Sequence, residues 1–182
     1  MKYFLIGGAV HAYELDGSQD HLIPADAEPI SESQAIELAN PAPSLEMRRE
    51  ARWEAVKSER KSRVNGGVLV AGHWYHTDVD SRVQHMRLAD KAAALLAGGG
   101  VGADVLQVAG QPIAWKTLAN DLVPMTAALA VAIVDAIEVL DAQAFARAET
   151  LRAQIEASED PESIDITSGW PAVYDPGAGA PE

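Results

Sequence analysis

The sequence predicts an α+β protein: a small β-rich module, a helical spacer, and a larger unit that ends in a long helix. Three observations carry this prediction. Short strand-like runs are separated by Gly-rich, Asp-Gly and Asn-Pro turns. One stretch of 33 residues, 126–158, contains neither Pro nor Gly. Net charge also changes from segment to segment, at the places where Pro and Gly interrupt the chain.

Residues 1–43 are predicted to form the β-rich module. The runs 2–6 and 10–15 have strand composition and flank a Gly-Gly pair, which indicates a hairpin. Ser31 followed by Gln34 has the pattern of a capping box at the start of a short helix. An Asn-Pro-Ala-Pro run then ends the module and predicts a stiff boundary.

Residues 44–64 are predicted to form a helical spacer, with Ser44 as its N-cap. The segment has seven basic and four acidic residues, a net charge of +3, and it holds half of the Lys and Arg of the chain. Its apolar stripe is thin. Such a helix is either a solvated connector or part of an intermolecular bundle.

Residues 65–158 are predicted to form an α+β unit. Two hairpins are expected, 68–76 and 105–117, with a short strand at 122–125. Between the hairpins, Asp78 or Asp80 caps a helix. Its predicted apolar face consists of Met86, Ala89, Ala93 and Leu96.

Residues 126–158 are predicted to form one helix with a nearly heptad seam, so self-association through this helix and a kinked or broken helix are the two interpretations. Residues 159–182 are rich in Pro, Gly and acidic residues and are predicted to be an acidic extended tail. Val139 and two other valines lie off the seam, which indicates that the first half of the helix is core. The seam residues are Ala130, Ile133, Ile137, Leu140, Ala144, Ala148, Leu151 and Ile155.

Overall composition excludes several classes of function. The net charge of −13 argues against nucleic acid and anionic membranes as partners, because phosphate binding needs clustered cations. No apolar run reaches the length of a membrane span, and no secretory signal is recognised, so synthesis in a cytosol is expected. The chain has no cysteine, which excludes disulfides, thiolate metal sites and cysteine nucleophiles.

The segment 73–80, His-Trp-Tyr-His-Thr-Asp-Val-Asp, is the richest local cluster of chemical groups. His73, His76, Asp78 and Asp80 are the candidates for a metal-dependent hydrolase, but their spacing matches no zinc or calcium motif. No nucleophile elbow or phosphate-binding loop is present. We therefore predict a protein that is not an enzyme, with no catalytic residues, no metal site and no cofactor.

Aromatic residues are the better candidates for a binding surface, because Trp is enriched at interfaces. Trp53 and Trp170 lie in the least coherent segments and are candidate anchors on a neighbouring chain, with docking inside the same chain as the alternative. Trp74 and Trp115 lie in hairpins, where packing into the core is the competing interpretation. The predicted partner-binding residues are Trp53, Val56, His73, Trp74, Tyr75, Trp115 and Trp170.

Two stretches resemble known phage proteins. The opening MKYF…VHAYELDGSQDHLIP…PISESQAIELANP resembles the N-terminal segment of tail fibre assembly proteins of tailed bacteriophages. Residues 64–155, with VNGGVLVAGHWYHTDVDSRVQHMRLA, PIAWKTLANDLVPMT and FARAETLRAQI, resemble a phage domain of unknown function that recurs next to tail fibre genes.

These resemblances imply a phage tail protein that binds the tail fibre or baseplate, either as a fibre assembly chaperone or as a component of the virion. The expected location is the host cytoplasm during assembly, or the virion tail if the protein stays in the particle. A homo-oligomer is expected, with a trimer through helix 44–64 or helix 126–158 as the first hypothesis. The alternative is a receptor-binding module of the tail tip, in which His73–His76 and Trp115 line a surface for host glycan.

Charge distribution gives one further expectation. Residues 1–43 carry a net charge of −6 and residues 156–182 a net charge of −7, on either side of the basic segment 44–64. Opposite charges attract at short range and low salt. The acidic ends are therefore expected to fold onto the basic helix, within the same chain or on a neighbour's.

Overall fold

The computed structural model describes residues 1–177 and confirms the predicted α+β class, with a long C-terminal helix. The chain divides into two compact units, residues 1–47 and residues 48 onward. The segments expected to form a spacer, an α+β unit and a tail thus belong largely to one unit. Among the described residues, no helix is long and apolar enough to cross a membrane.

The N-terminal unit contains a three-stranded antiparallel sheet. Its central strand is β1 (Lys2–Ile6), which lies between β2 (Ala9–Tyr13) and β3 (Glu28–Ile30). A short 3₁₀ turn (Asp20–Leu22) lies in the connection from β2 to β3. The hairpin predicted around the Gly-Gly pair is therefore confirmed.

Helix α1 (Glu32–Ala39) contacts β1 and β2 and buries Ala35. Its start has the predicted capping box. The Ser31 hydroxyl oxygen accepts a hydrogen bond from the Gln34 backbone N–H at 3.2 Å, and the Gln34 side-chain oxygen accepts one from the Ser31 backbone N–H at 2.9 Å. These reciprocal bonds satisfy two N–H groups that a helix start otherwise leaves unpaired.

Helix α2 (Leu45–Val64) matches the predicted helix closely, and its first turn is capped by Ser44, which accepts from the Met47 N–H at 3.2 Å. It is neither a solvated connector nor, on its apolar side, part of an intermolecular bundle. Val56 is fully buried and packs with α4 and with Ile166. The thin stripe is sufficient because it is covered from two directions within the same chain.

Two hairpins of the second unit turn through Ala-Gly pairs. The first joins β4 (Val68–Val70) to β5 (His73–Tyr75), and the second joins β6 (Gln107–Val108) to β7 (Gln111–Pro112). The alanine and the glycine of each turn have positive φ angles, between 49° and 80°. Such turns match the right-handed twist of the flanking strands, at the cost of a strained alanine.

A third strand pair follows directly. β8 (Ala114–Lys116) pairs with β9 (Leu122–Pro124), so the predicted strand at 122–125 is confirmed with a slightly earlier end. The predicted 105–117 hairpin is present only in shortened form. Val105 pairs instead with Thr126, because the chain there runs back beside the start of α4.

Helix α3 (Val79–Ala97) begins at Asp78, whose carboxylate accepts from the Ser81 N–H at 3.0 Å. Of the two predicted caps, Asp78 is therefore the one used. The predicted apolar face is wrong by one position, and Met86 on that face is 60% exposed. The difference arises because His85 lies on the core side of the helix, and a histidine does not register as apolar in the sequence pattern. The core side consists of His85, Leu88, Ala92 and Leu95.

Helix α4 (Ala127–Ala157) has 31 residues and is about 46 Å long. It begins at Thr126, whose hydroxyl accepts from the Leu129 N–H at 3.2 Å, and it runs without a break to Ser158. The single long helix is thus confirmed. All eight predicted seam residues are buried: Ala130, Ile133, Ile137, Leu140, Ala144, Ala148, Leu151 and Ile155.

Two separate core clusters cover this seam. The N-terminal half packs with residues of β4, β5 and α3, and the C-terminal half packs with α2 and the segment that follows α4. Self-association through the seam is therefore a wrong prediction, because the chain itself covers the seam at every turn. The seam face of α4 therefore leaves no exposed apolar surface through which a trimer could form.

Residues 159–177, which we call the C-terminal segment, are packed rather than extended into solvent, contrary to the predicted acidic extended tail. The segment contains a 3₁₀ turn (Pro161–Ser163). Ile166 is 8% exposed and packs with Val56. Apolar residues among the acids cause the difference, because they complete the second core cluster. Residues 178–182 of the predicted tail lie outside the described part of the chain.

Arginines of α2 hold the C-terminal segment in place. Arg48 donates to the Glu162 carboxylate at 3.0 Å and to the Glu159 carbonyl at 2.9 Å, and Arg49 donates to the Ser158 carbonyl, directly before the segment, at 2.7 Å. The expected attraction between the basic helix and an acidic end is therefore confirmed for the C-terminal end, within the same chain. Backbone carbonyls rather than carboxylates accept several of the bonds. The further donors to carbonyls are Arg52 to Ile164 and Arg63 to Thr167.

Arg82 of α3 joins three elements. Its guanidinium makes a bidentate pair with the Asp141 carboxylate of α4, at 2.6 and 2.9 Å. It also donates to the Thr77 carbonyl at 2.6 Å and to the Val64 carbonyl at 2.7 Å. One planar side chain therefore fixes the end of α2, the start of α3 and the middle of α4.

Replacing Arg82 by Met is expected to lower the free energy of unfolding by about 2 kcal/mol, because two carbonyls and one carboxylate lose charge-assisted donors. Urea unfolding followed by circular dichroism measures this. The matched control is Lys91→Met, which changes an exposed cation on the same helix and is expected to change stability little. Equal effects of the two substitutions would contradict the role given to Arg82.

Replacing Ile166 by Ala is expected to destabilise the protein by about 2–3 kcal/mol, because it leaves a cavity against Val56 and α4. The same unfolding measurement applies. Phe145→Ala serves as the control, since Phe145 is 57% exposed on α4. A stability unchanged by Ile166→Ala would mean that the C-terminal segment does not belong to the core.

Candidate partner-binding site

An open apolar groove of about 470 Å³ lies beside α4. Its floor is the face of α4 between Asp135 and Gln143, where Val139 is 54% exposed. One wall is the β4–β5 hairpin, which contributes Leu69 and Trp74. The other wall is the C-terminal segment, which contributes Pro171 and Ala172. The shape and chemistry are those of a surface that receives an apolar side chain.

Hairpin register explains the first wall. Leu69 and Trp74 are directly paired across the strands, and paired residues of an antiparallel ladder point to the same face. Val68 and Tyr75 form the neighbouring pair and point to the opposite face, where both are buried. The hairpin therefore gives one face to the core and the other to the groove.

The second wall lies close to the hairpin because residue 66 is a glycine. The Tyr174 N–H donates to the Gly66 carbonyl at 2.9 Å, and the Tyr174 ring packs against Trp74 with centroids 6.2 Å apart. A Cβ atom at Gly66 would lie 2.5 Å from the Val173 Cγ1 atom. Only glycine permits this approach, which brings the C-terminal segment alongside the hairpin.

One acidic group marks the groove. Asp135 lines it, is exposed, and has no ion-pair partner within residues 1–177. Asp141, two turns further along α4, is neutralised by Arg82. The groove therefore offers an apolar floor with one negative charge beside it, which suits a partner that presents an apolar side chain next to a cation.

The predicted partner-binding residues are dispersed over the second unit. Trp74 alone lines the groove. Val56 and Tyr75 are fully buried, so the prediction that they contact a partner is wrong; both fill the core instead. His73 is half-exposed, and its Nδ1 lies 3.9 Å from an Asp121 carboxylate oxygen.

The remaining tryptophans are half-buried by their own chain. Trp53 packs on the second core cluster, with the Arg152 guanidinium 5.4 Å from its ring centroid. Trp170 donates from its indole N–H to the Ile166 carbonyl at 2.7 Å. Docking within the same chain, the alternative for both residues, is the arrangement that the structure has.

Trp115 belongs to a buried aromatic cluster that the sequence patterns did not reveal. Its ring lies 4.1 Å from the ring of His85, which also packs edge-on against Tyr75. The His85 Nε2 atom lies 3.1 Å from the His76 carbonyl, an arrangement that fits the neutral tautomer with hydrogen on Nε2. Burial lowers the pKa of His85 to about 4, so the side chain is neutral at neutral pH.

The candidate metal ligands have other roles. Asp78 caps α3, and its carboxylate accepts from the Ser81 N–H and hydroxyl. Both bonds hold the pKa of Asp78 below its usual range. Within residues 1–177, no group of three or more His, Asp or Glu side chains is placed to hold a metal ion. The segment 73–80 therefore gives no support to the hydrolase alternative.

One residue of the groove, on α4, could be recognised from the sequence. The first half of α4 is core, as its valines predicted, but Val139 itself lies off the seam, is 54% exposed and lines the groove. An apolar residue on a second helix face was thus the available signal. Pro171 and Ala172 carried none, since their position depends on the path of the C-terminal segment.

Comparison with known proteins gives one match. A family model described as Domain of unknown function (DUF4376) matches residues 47–168. That range includes nearly all of α2 and extends through Ile166, and it leaves out nearly all of the N-terminal unit. No curated protein and no solved structure matches the chain.

Stability is expected to fall by about 3 kcal/mol between pH 6.5 and pH 4 because of His85 alone. The unfolded chain takes up a proton near the usual pKa of 6.5, whereas the folded chain does so only near 4. This contribution is therefore complete above pH 6.5 and is lost as the pH falls toward 4. Urea midpoints measured across this range, with the slope compared between wild type and His85→Phe, give the effect.

Carboxylates titrate in the same range, so the comparison depends on the difference between variants. His85→Phe is expected to flatten the slope between pH 6.5 and pH 4. Phe145→Ala, which changes an exposed side chain that does not titrate, is expected to keep the wild-type slope. Identical slopes for His85→Phe and wild type would show that His85 is not held neutral by the fold.

Proposed function

The chain belongs to the DUF4376 family, and on that premise we propose that it is a non-enzymatic bacteriophage tail protein that binds the tail fibre or baseplate. It acts either as a chaperone of fibre assembly or as a component of the virion. The observation that carries a binding role is the open groove with Val139 on its floor and Trp74 in its wall. The resemblance of residues 1–43 to fibre assembly proteins supports the class of partner.

The organisation of the chain supports a role in binding. It has two compact units, and the family match covers mainly the second. The N-terminal unit folds around its own sheet and capped helix, and the second unit contains the groove. A protein with two such modules can hold one partner through each, as an assembly factor or an adaptor must.

Fibre binding also agrees with the chemistry of the groove. A fibre subunit that has not yet trimerised exposes apolar side chains that later become buried. A groove with an apolar floor shields such a side chain, and Asp135 favours a neighbouring cation on the partner. Shielding of this kind needs no catalytic group.

Glycan binding has weaker support as the alternative function. An aromatic platform for a sugar needs an exposed ring face. The Tyr75 side chain is buried, and the Trp115 ring is packed against His85. His76 and Trp115 line a shallow pocket of about 330 Å³ together with Lys116, and this leaves only a small, largely polar surface for a sugar.

Affinity capture of fibre and baseplate proteins by the tagged full-length chain, from phage-infected cells and from washed virions, tests the proposal. We expect a fibre or baseplate protein in the captured material. Detection of the chain in washed virions indicates a virion component, and detection in the infected-cell lysate alone indicates a chaperone. Capture of neither protein in either sample would overturn the proposal.

Two substitutions on α4 locate the binding surface. Val139→Glu puts a charge on the groove floor and is expected to weaken fibre binding at least about tenfold, because it buries an unpaired carboxylate in the interface. Phe145→Glu is the matched control, since both residues are more than half exposed on the same helix. Equal binding by the two variants would place the contact outside the groove.

A further inference from the structure

Helix α3 carries an apolar stripe that nothing in the described chain covers. Val79 is 72% exposed, Val83 is 43% exposed and Met86 is 60% exposed. Spacings of four and three residues place them on one face of the helix, away from His85 and the core. The same face continues through Asp90 and Ala93 to the end of the helix, and these residues are exposed as well.

The two halves of this stripe differ in the size of their side chains. The first half carries Val79, Val83 and Met86, and the second half carries Asp90, Ala93 and Ala97. We propose that this stripe, the α3 stripe, is where a second copy of the chain docks, with the two helices antiparallel about a twofold axis at Leu88.

In that register the large and small halves are complementary. Residue numbers that face each other add up to 176, so Val79 faces the partner's Ala97 and Val83 faces the partner's Ala93. Alanines leave room for the larger side chains of the facing helix, which is how closely packed antiparallel helices fit together. The third pair, nearest the axis, sets Met86 beside the partner's Asp90.

Charges on α3 agree with the same register. Arg87 lies beside the stripe, one residue from the position that faces the partner's Asp90, so the two side chains form a diagonal pair that the twofold axis makes twice. Neither Arg87 nor Asp90 has an ion-pair partner within residues 1–177. The chain as a whole has a net charge of −13, so most of its faces repel a second copy, whereas this face has both signs.

A parallel or threefold arrangement lacks both advantages. It places Asp90, which lies near the centre of the stripe, next to the partner's Asp90, and this is a like-charge contact. Large residues would also meet large residues in the first half, and alanines would meet alanines in the second. The α3 stripe therefore selects a dimer rather than a trimer.

The contact is one helix wide and about 28 Å long. A standard interface buries about 800 Å² on each partner, and a single helix face provides less. We therefore expect a weak dimer that dissociates in the micromolar range, and that is detected by sedimentation velocity over a concentration series of the full chain.

Crosslinking tests the orientation directly, because the chain has no cysteine of its own. Val83→Cys and Ala93→Cys are prepared as separate full-length variants. Under mild oxidation, a mixture of the two is expected to form a disulfide-linked dimer, whereas each variant alone forms little. A parallel or threefold contact would instead crosslink each variant with itself, and that result would overturn the proposal.

A charge exchange tests the register. Arg87→Asp and Asp90→Arg are each expected to weaken the dimer at least about tenfold, and the double variant is expected to restore it. Leu122→Glu is the control, since Leu122 is 72% exposed on β9, away from the stripe. Thermal unfolding checks that every variant is folded.

Three results would overturn the proposal: a monomeric wild type throughout the micromolar range, a trimer, or a dimer that the α3 variants leave unchanged. A monomeric wild type that still captures the fibre would remove the dimer and leave the proposed function in place. A dimer that captures no fibre or baseplate protein would remove the proposed function and leave the dimer in place.

Discussion

The structure of the second unit depends on one constraint, the burial of a single stripe along the whole of α4. A helix of 31 residues is longer than one small core can cover, so two separate clusters share it. Hairpin β4–β5 and helix α3 cover the first half. Helix α2 and the C-terminal segment cover the second half, and Val56 and Ile166 meet the stripe there.

This constraint explains why elements with weak apolar patterns are ordered. Helix α2 is highly charged, and the C-terminal segment is acidic and contains several prolines and glycines. Neither has enough apolar surface to fold alone. Each supplies a few apolar residues to the α4 stripe, and the arginines of α2 then bind the backbone carbonyls and acids of the segment. Arg82 adds the link between α2, α3 and α4.

The groove is a consequence of the same packing. The C-terminal segment follows the second cluster and then turns toward the hairpin, where Gly66 allows it to come close. Between the segment and the hairpin, part of α4 stays open, and Val139 is exposed there. The α3 stripe has another origin: α3 has apolar residues on more sides than the core can use, and one side remains exposed.

The sequence by itself determined the α+β class, the long helix 126–158, all eight residues of its seam, and the caps at Ser31 and Ser44, and it narrowed the cap of α3 to Asp78 or Asp80. These features depend on local periodicity and on side chains that bond to nearby backbone groups, so a few consecutive residues suffice to specify them. Only the tertiary structure decided what covers the seam, which face of α3 is buried, and which residues form the groove. His85 shows the physical reason: between Tyr75 and Trp115 a neutral imidazole packs as an apolar ring, and that environment comes from residues distant in the chain.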